Sequence, residues 1–420
     1  MRTNLMCEAE RAKERREKLG LTQKDVESSG GPLKLADSLV TERVVRKVEN
    51  QENGLKQDEI DQYFEFLGIP STECSIPEDR LEDIVLVLKT AVLFAMDAIR
   101  LAFWRPSRAC SAVFTTDGKV SDRDNDPTLA VDLAPALVIN SIMKTVCTHS
   151  SPSVFAGFNI LLVDEEKGAE WIVYDTTTPG RRTIIVFADP LDDTHAFRRH
   201  IGGGVCVLTV YLEGWGILAS VAGDLGRNTL TWRITDAPSQ SVQLKNREIP
   251  KQSPVLPESL VEMSEIEGSP LALKTTGRRQ LAGSSLVMYS GKPDRILENA
   301  TITEKLMKAG GIAEVFSVGG VRSSLGIGYG CIDSLLEVAK GFRLLDVSGV
   351  YLADGCGATC LELNRTGKTF TSKPFNFGAI PAIDSAIATG FADMSVMDAT
   401  RRKHVCTATL ELCRELLSHI

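Results

Sequence analysis

The chain has no CxxC pair. Its ten cysteines are scattered, and the closest two, Cys356 and Cys360, lie in a Gly-rich turn without zinc-finger partners. That excludes a zinc-ribbon reading and leaves reduced thiols, the state expected of a cytoplasmic protein. Histidine is scarce, with five in 420 residues, so a His-built metal site is not expected. Any metal would have to be held by carboxylates, which favour magnesium, manganese or calcium. Positive charge is short as well: 47 Lys and Arg face 55 Asp and Glu, a net charge of -8. A surface built throughout for nucleic acid is thereby excluded, and only a local basic patch is left open. There is no uninterrupted apolar run of about 20 residues, and the opening "MRTNLMCEAERAKERREKLG" is charged rather than signal-like, so no membrane span is expected.

What is present is an ordinary globular composition, 43% hydrophobic and 24% charged, on a chain long enough for about two or three domains. The first 70 residues read as short charged helices, with Thr22 and Thr41 as N-caps and Gly20 and Gly54 as stops. "STECSIPEDR" reads as a linker. Boundaries are therefore expected at 1–72 for a small all-α domain and 80–420 for a larger one. "LEDIVLVLKTAVLFAMDAIRLAFW" is a long apolar helix; Lys89, Asp97 and Arg100 interrupt it, which favours a core helix over a membrane span. A second helix is expected from Leu133 to Cys147. The middle is β-rich: "FNILLVDEE", "EWIVYD", "TIIVFADP", "VCVLTVYLEGWGILASVAGD" and "LTWRIT" are short runs split by turns. "QSVQLKNREIPKQSPVLPESL" reads as a surface excursion. The final third alternates strand and helix and ends in "TLELCRELLSHI". Such mixing over some 340 residues indicates a layered α/β or α+β domain.

Against that background the stretch "FADPLDDTHAFRR" stands out. Asp189, Asp192 and Asp193 fall within five residues, after a strand that reads as buried. Carboxylates at a strand end are costly unless a positive group compensates them. Thr194 opens what reads as a helix, whose free N–H groups suit an anion; a bridging divalent cation would reconcile the two. The competing reading is an acidic surface turn that caps a helix. Glu165 and Glu166 end another apolar run in "LLVDEEKG", and Asp346 begins an apolar helical segment in "FRLLDVSGVYLADGCGA".

Taken in order, "DEE", "DPLDDT" and "LDVSGVYLADGCGA", with Asp132 at the start of the "VDLAPALVINSIM" helix, resemble the motifs of the inositol monophosphatase superfamily of metal-dependent phosphatases. The resemblance covers roughly residues 81–420. It implies a layered αβαβα sandwich and a Mg²⁺-dependent phosphomonoesterase acting on a small phosphorylated polyol, sugar or nucleotide. Carried over residue by residue, it implies that Glu165, Asp189, the Leu191 carbonyl, Asp192 and Asp346 bind metal. Thr194, with Glu165 or Asp132, would orient the attacking water, and Asp193 and Thr194 would lie beside the substrate phosphate. Three positions depart from the pattern. Asp193 stands where the family has a small residue, Leu345 replaces a Trp, and the stretch before Asp346 is shorter than the family's.

The N-terminal "KLGLTQKDVE" and "VTERVVRKVEN" resemble a Cro/C1-type helix-turn-helix, which implies DNA contacts by Arg43, Arg46 and Lys47. The link between those helices is longer than the family's, and residues 1–70 hold 12 Lys and Arg against 14 Asp and Glu; a small helical interaction module is the alternative. A homodimer is expected, with no membrane partner. His195, His200, Arg198 and Arg199 read as ordinary surface or core groups, and "RRKH" at Arg401 as an exposed loop. Two overall readings follow: a phosphatase, or a transcription regulator whose phosphatase-like domain senses a phosphorylated ligand with little turnover.

Overall fold

A computed structural model describes residues 13, 16–17, 76–103, 122–123, 126–127, 130–149, 153–175, 177–178, 180–192, 194, 203–235, 237–244, 266–289, 293–366 and 369–420. The helix-turn-helix reading with Arg43, Arg46 and Lys47, and also Asp193, His195, Arg198, Arg199 and His200, lie outside the described residues. In chain order the elements are α1 (Glu78–Phe103), β1 (Asp122–Arg123), β2 (Asp126–Pro127), α2 (Ala130–His149), β3 (Asn159–Asp164), β4 (Gly168–Val173), β5 (Thr183–Asp192), β6 (Val205–Leu212), β7 (Gly216–Asp224), β8 (Thr229–Ile234), β9 (Gln240–Leu244) and β10 (Ile266–Ala272). Then come β11 (Ser285–Val287), α3 (Pro293–Gly310), β12 (Glu314–Phe316), α4 (Gly320–Gly328), β13 (Ser334–Phe342), α5 (Leu344–Gly355), β14 (Thr359–Thr366), β15 (Thr369–Pro374), α6 (Pro381–Ile387), α7 (Val396–Ala399), β16 (Arg402–Thr407) and α8 (Leu410–Ser418).

Two large sheets organise the chain. One runs β10-β9-β8-β7-β6-β5-β3-β4, the other β12-β11-β13-β16-β14-β15. The strands β3, β5, β6 and β7 of the first are buried throughout because both faces are covered. Ile160, Leu162, Ile184, Val186, Cys206 and Leu208 meet α1 and α2 in one core. The alternating Leu161, Val163, Ile185, Phe187 and Tyr211 point the other way, into a core shared with α5 and β13. Beyond the second sheet, Leu336 and Val338 pack with Ile302 and Leu306 of α3 and Leu412 and Leu416 of α8. The order is thus helix, sheet, helix, sheet, helix: an αβαβα sandwich, as the resemblance implied.

The charges that interrupt α1 each have a local answer. Lys89 lies over the Trp232 ring, 3.3 Å from its centroid, and burial lowers its pKa to about 8. Arg100 pairs with Asp97 at 3.0 Å, one turn apart. The buried positions Leu81, Ile84, Val85, Leu88, Ala91, Val92, Ala95, Met96 and Ile99 follow the helical period against the sheet. Helix α2 contains a window, Val131–Thr148, apolar enough to cross a membrane by length and composition; here it packs beside α1 on the first sheet, within the same core.

Three readings change. "QSVQL" is strand β9 rather than surface excursion: Gln240 to Gln243 pair residue by residue with Trp232 to Thr229 of β8. No element was assigned to "GVRSSLGIG", which forms α4. "RRKH" is not an exposed loop: Arg402–Thr407 is a central strand, and His404 is fully buried. Burial lowers the His404 pKa from 6.5 to about 4. Its Nδ1 faces the Arg402 carbonyl at 3.1 Å, its Nε2 has no partner, and the ring packs against Phe342 and Phe375. Between pH 6.5 and 4 the unfolded chain binds this proton and the folded chain does not, so stability falls as pH drops through that window. Between pH 7.5 and pH 5 the loss from this group is about 2 kcal/mol. In His404→Phe that increment disappears. Urea unfolding at the two pH values measures it, and an equal loss in both proteins would refute the assignment.

Candidate metal centre

The site arises where β3 and β5 end together. The two strands are parallel neighbours, with Asp164 opposite Ala188, so the acidic residues that follow each strand emerge at the same edge. The Glu165 N–H donates to the Ala188 carbonyl at 3.0 Å, which carries the pairing one residue further. The sequence reads a strand over "TIIVFADP", which ends at Pro190. Instead the strand continues to Asp192 through a bulge between Asp189 and Asp192 against β6. Pro190, which has no N–H to give a ladder, sits in the bulge where none is required.

Two helix starts complete the cluster. Asp346 is the third residue of α5, and its Oδ2 accepts the backbone N–H of the N-cap residue Arg343 at 3.1 Å. Helix α4 begins beside Asp192, whose Oδ2 accepts the Arg322 N–H at 3.3 Å. Gly320 at this start has φ +65°, and a Cβ there would collide with the Asp192 carboxylate. Glycine thus serves both the left-handed backbone and the close approach. As a result, single carboxylate oxygens of Asp189, Asp192 and Asp346 lie within 4.8 Å of one another.

Glu165 lies outside that set of three. Its Oε1 is 3.7 Å from Arg343 Nη1. On the other flank, Asp132 in the first turn of α2 faces Thr194: the Thr194 hydroxyl lies 3.0 Å from Asp132 Oδ1 and 2.7 Å from the Leu191 carbonyl. A hydroxyl has one proton for two acceptors, so Thr194 is oriented by both and keeps a lone pair to accept from a third group. The structure therefore brings Asp189, Asp192 and Asp346 together, with Glu165 beside them, and joins Asp132, Thr194 and Leu191 at the edge. Leu345 is buried in the interlayer core.

The electrostatics are unbalanced. Asp189 is pushed well above the usual carboxylate range, first by burial and then by the charges of Glu165, Asp192, Asp346 and Glu166. Asp346 is raised by burial as well, opposed by the Arg343 N–H and by the charges of Arg343, Arg401 and Arg295. Three carboxylates that converge this closely repel one another unless a cation lies among them. Hard oxygen donors on two elements, β5 and α5, together with a nearby backbone carbonyl, are the donor set of Mg²⁺, Mn²⁺ or Ca²⁺. The residues present fit such a cation.

Sequence reasoning missed Arg343 and the α4 start. The "GG" before Val321 was a possible signal, since paired glycines at a helix start permit close approach. Nothing local linked it to Asp192, which stands 128 residues before Gly320.

Among solved structures, the fructose-1,6-bisphosphatase of Leishmania major superposes with a TM-score of 0.52 at 11% identity, covering 81% of this chain and 94% of that one. This chain has the inositol monophosphatase-type fold. An inositol monophosphatase from Anabaena gives 0.47 at 16% identity, covering 80% of this chain and 94% of the other. A hypothetical protein from Pyrococcus horikoshii with similarities to inositol-1 monophosphatase gives 0.49 at 15%, covering 82% and 99%. No protein-family model and no curated protein matches the chain.

Proposed function

We propose that this chain is a Mg²⁺-dependent phosphomonoesterase for a small phosphorylated polyol, sugar or nucleotide. The observation that carries the reading is the convergence of Asp189, Asp192 and Asp346 within 4.8 Å next to the Asp132–Thr194 pair. The fold, shared with a fructose-1,6-bisphosphatase, supports it. Asp189, Asp192 and Asp346 would hold the cation, with Glu165 and the Leu191 carbonyl as further donors. When bound, Mg²⁺ supplies the positive charge that offsets the phosphoryl oxygens and acidifies water. Asp132 fixes the Thr194 hydroxyl, and the Thr194 oxygen can then accept a hydrogen bond from a water and aim it at phosphorus. Water adds, the ester oxygen leaves as the alcohol, and inorganic phosphate is released, with no covalent intermediate on the protein.

The regulator alternative rests on residues 1–72 and Asp193, which lie almost wholly outside the described residues, and on the short stretch before Asp346. It would add DNA binding by Arg43, Arg46 and Lys47 to a domain of weak turnover. Phosphate release from a panel of sugar, polyol and nucleotide monophosphates, with and without Mg²⁺, tests the hydrolase reading directly. Release from at least one member that EDTA abolishes is expected. No release from any member would favour the sensing alternative.

A further inference from the structure

Arg343 is charged, partly buried and placed inside an acidic site, and the proposed reaction gives its side chain no task. Its backbone N–H is committed to Asp346, which plants the residue at the α5 N-cap. From there the guanidinium reaches across to Glu165, the candidate ligand that stands apart from the three convergent aspartates. Arg401 and Arg295 also act on Asp346 through their charges; Arg401 donates to the Gly341 carbonyl at 3.2 Å, and Arg295 pairs with buried Glu337 at 3.1 Å. The Arg343–Glu165 ion pair thus falls within the candidate ligand set.

We propose that the Arg343 guanidinium serves as the resident cation of the Glu165 corner, so that the site binds one divalent ion strongly and a second one weakly. The inference rests on the metal-centre reading above. A first ion at Asp189, Asp192 and Asp346 leaves the Arg343–Glu165 pair intact. A second ion that uses Glu165 must break that pair and then sit beside a fixed positive charge. Guanidinium stays protonated at any working pH, so the opposition cannot be relieved by titration. Because the Asp346 cap uses the Arg343 backbone, exchanging the side chain leaves that hydrogen bond in place.

The test is Mn²⁺ binding to metal-free full-length protein, read as stoichiometry and affinity by calorimetry and by the EPR signal of free Mn²⁺, without substrate. Wild type is expected to take one ion tightly and a second at least tenfold more weakly. Arg343→Gln should tighten the second ion by tenfold or more and leave the first nearly unchanged. Arg343→Lys, which keeps the charge, should stay close to wild type. Glu165→Gln should retain the first ion and lose the second, which checks the same corner through a different residue. Two ions of equal affinity in wild type, or a second ion indifferent to both Arg343→Gln and Glu165→Gln, would overturn the proposal while sparing the metal centre. No bound Mn²⁺ in wild type would remove the metal-centre reading itself and this inference with it.

Discussion

Asp189→Asn is expected to do two opposite things. Without metal, the variant melts higher than wild type, by a few degrees, because it removes a buried charge from among like charges. Asp189 is driven up by burial and by Glu165, Asp192, Asp346 and Glu166 together, so its ionised form is disfavoured where it stands. With Mg²⁺ or Mn²⁺ the order reverses: wild type gains stability by mass action as the ion binds the folded state, and the variant gains little. On the proposed function, turnover falls on the order of 10³-fold or more, equivalent to about 4 kcal/mol of lost transition-state stabilisation. Paired melting curves with EDTA and with metal check the first two effects, and phosphate release checks the third. A variant that is less stable than wild type in EDTA and binds metal normally would show that Asp189 is a structural carboxylate.

Arg233→Ala is expected to be the most destabilising single substitution outside the hydrophobic cores. Arg233, on β8, is 3% exposed and pairs at 2.9 Å with Asp354, which is fully buried near the end of α5. It also donates to the Tyr351 carbonyl at 2.6 Å and the Ala237 carbonyl at 3.1 Å, and lies over the Tyr351 ring. Truncation strands the Asp354 charge in the interlayer core, a loss of about 3–5 kcal/mol. The double variant Arg233→Ala/Asp354→Ala should recover part of it, since neither charge is then left alone. Chemical denaturation of the three variants measures the cycle. A single-variant loss below about 1 kcal/mol would mean that water or a neighbour takes over the pairing. The consequence reaches the site, because α5 carries Asp346 at its other end, and a shift of this helix moves a candidate ligand.

Several parts of this architecture were legible in the residues. The apolar β-rich runs in "FNILLVD" and "TIIVFADP" announced strands, and the charges Lys89, Asp97 and Arg100 within a long apolar helix announced a core helix rather than a membrane span. The acidic runs could be recognised as a set only by their order. Other parts were not legible. His404 reads as part of a basic surface loop until β13 and β14 flank it. The stretch "GVRSSLGIG" carries no strong helical propensity, and its helix forms because Val321 and Leu325 find Val205, Val207 and Leu352.

By itself the sequence determined the inventory: carboxylates in place of cysteine and histidine as the available metal donors, a layered α/β class, and an acidic segment after a buried strand. These follow from composition and period, which are local. The tertiary structure decided which carboxylates meet. Asp189 and Asp346 are 157 positions apart, and only the packing of α5 against the sheet that holds β5 brings them within reach. It also decided that Glu165 faces Arg343. Both residues follow apolar strand segments, and nothing in either stretch indicates the other; the contact exists because two sheets stack with α5 between them and the N-cap of that helix opens toward the end of β3.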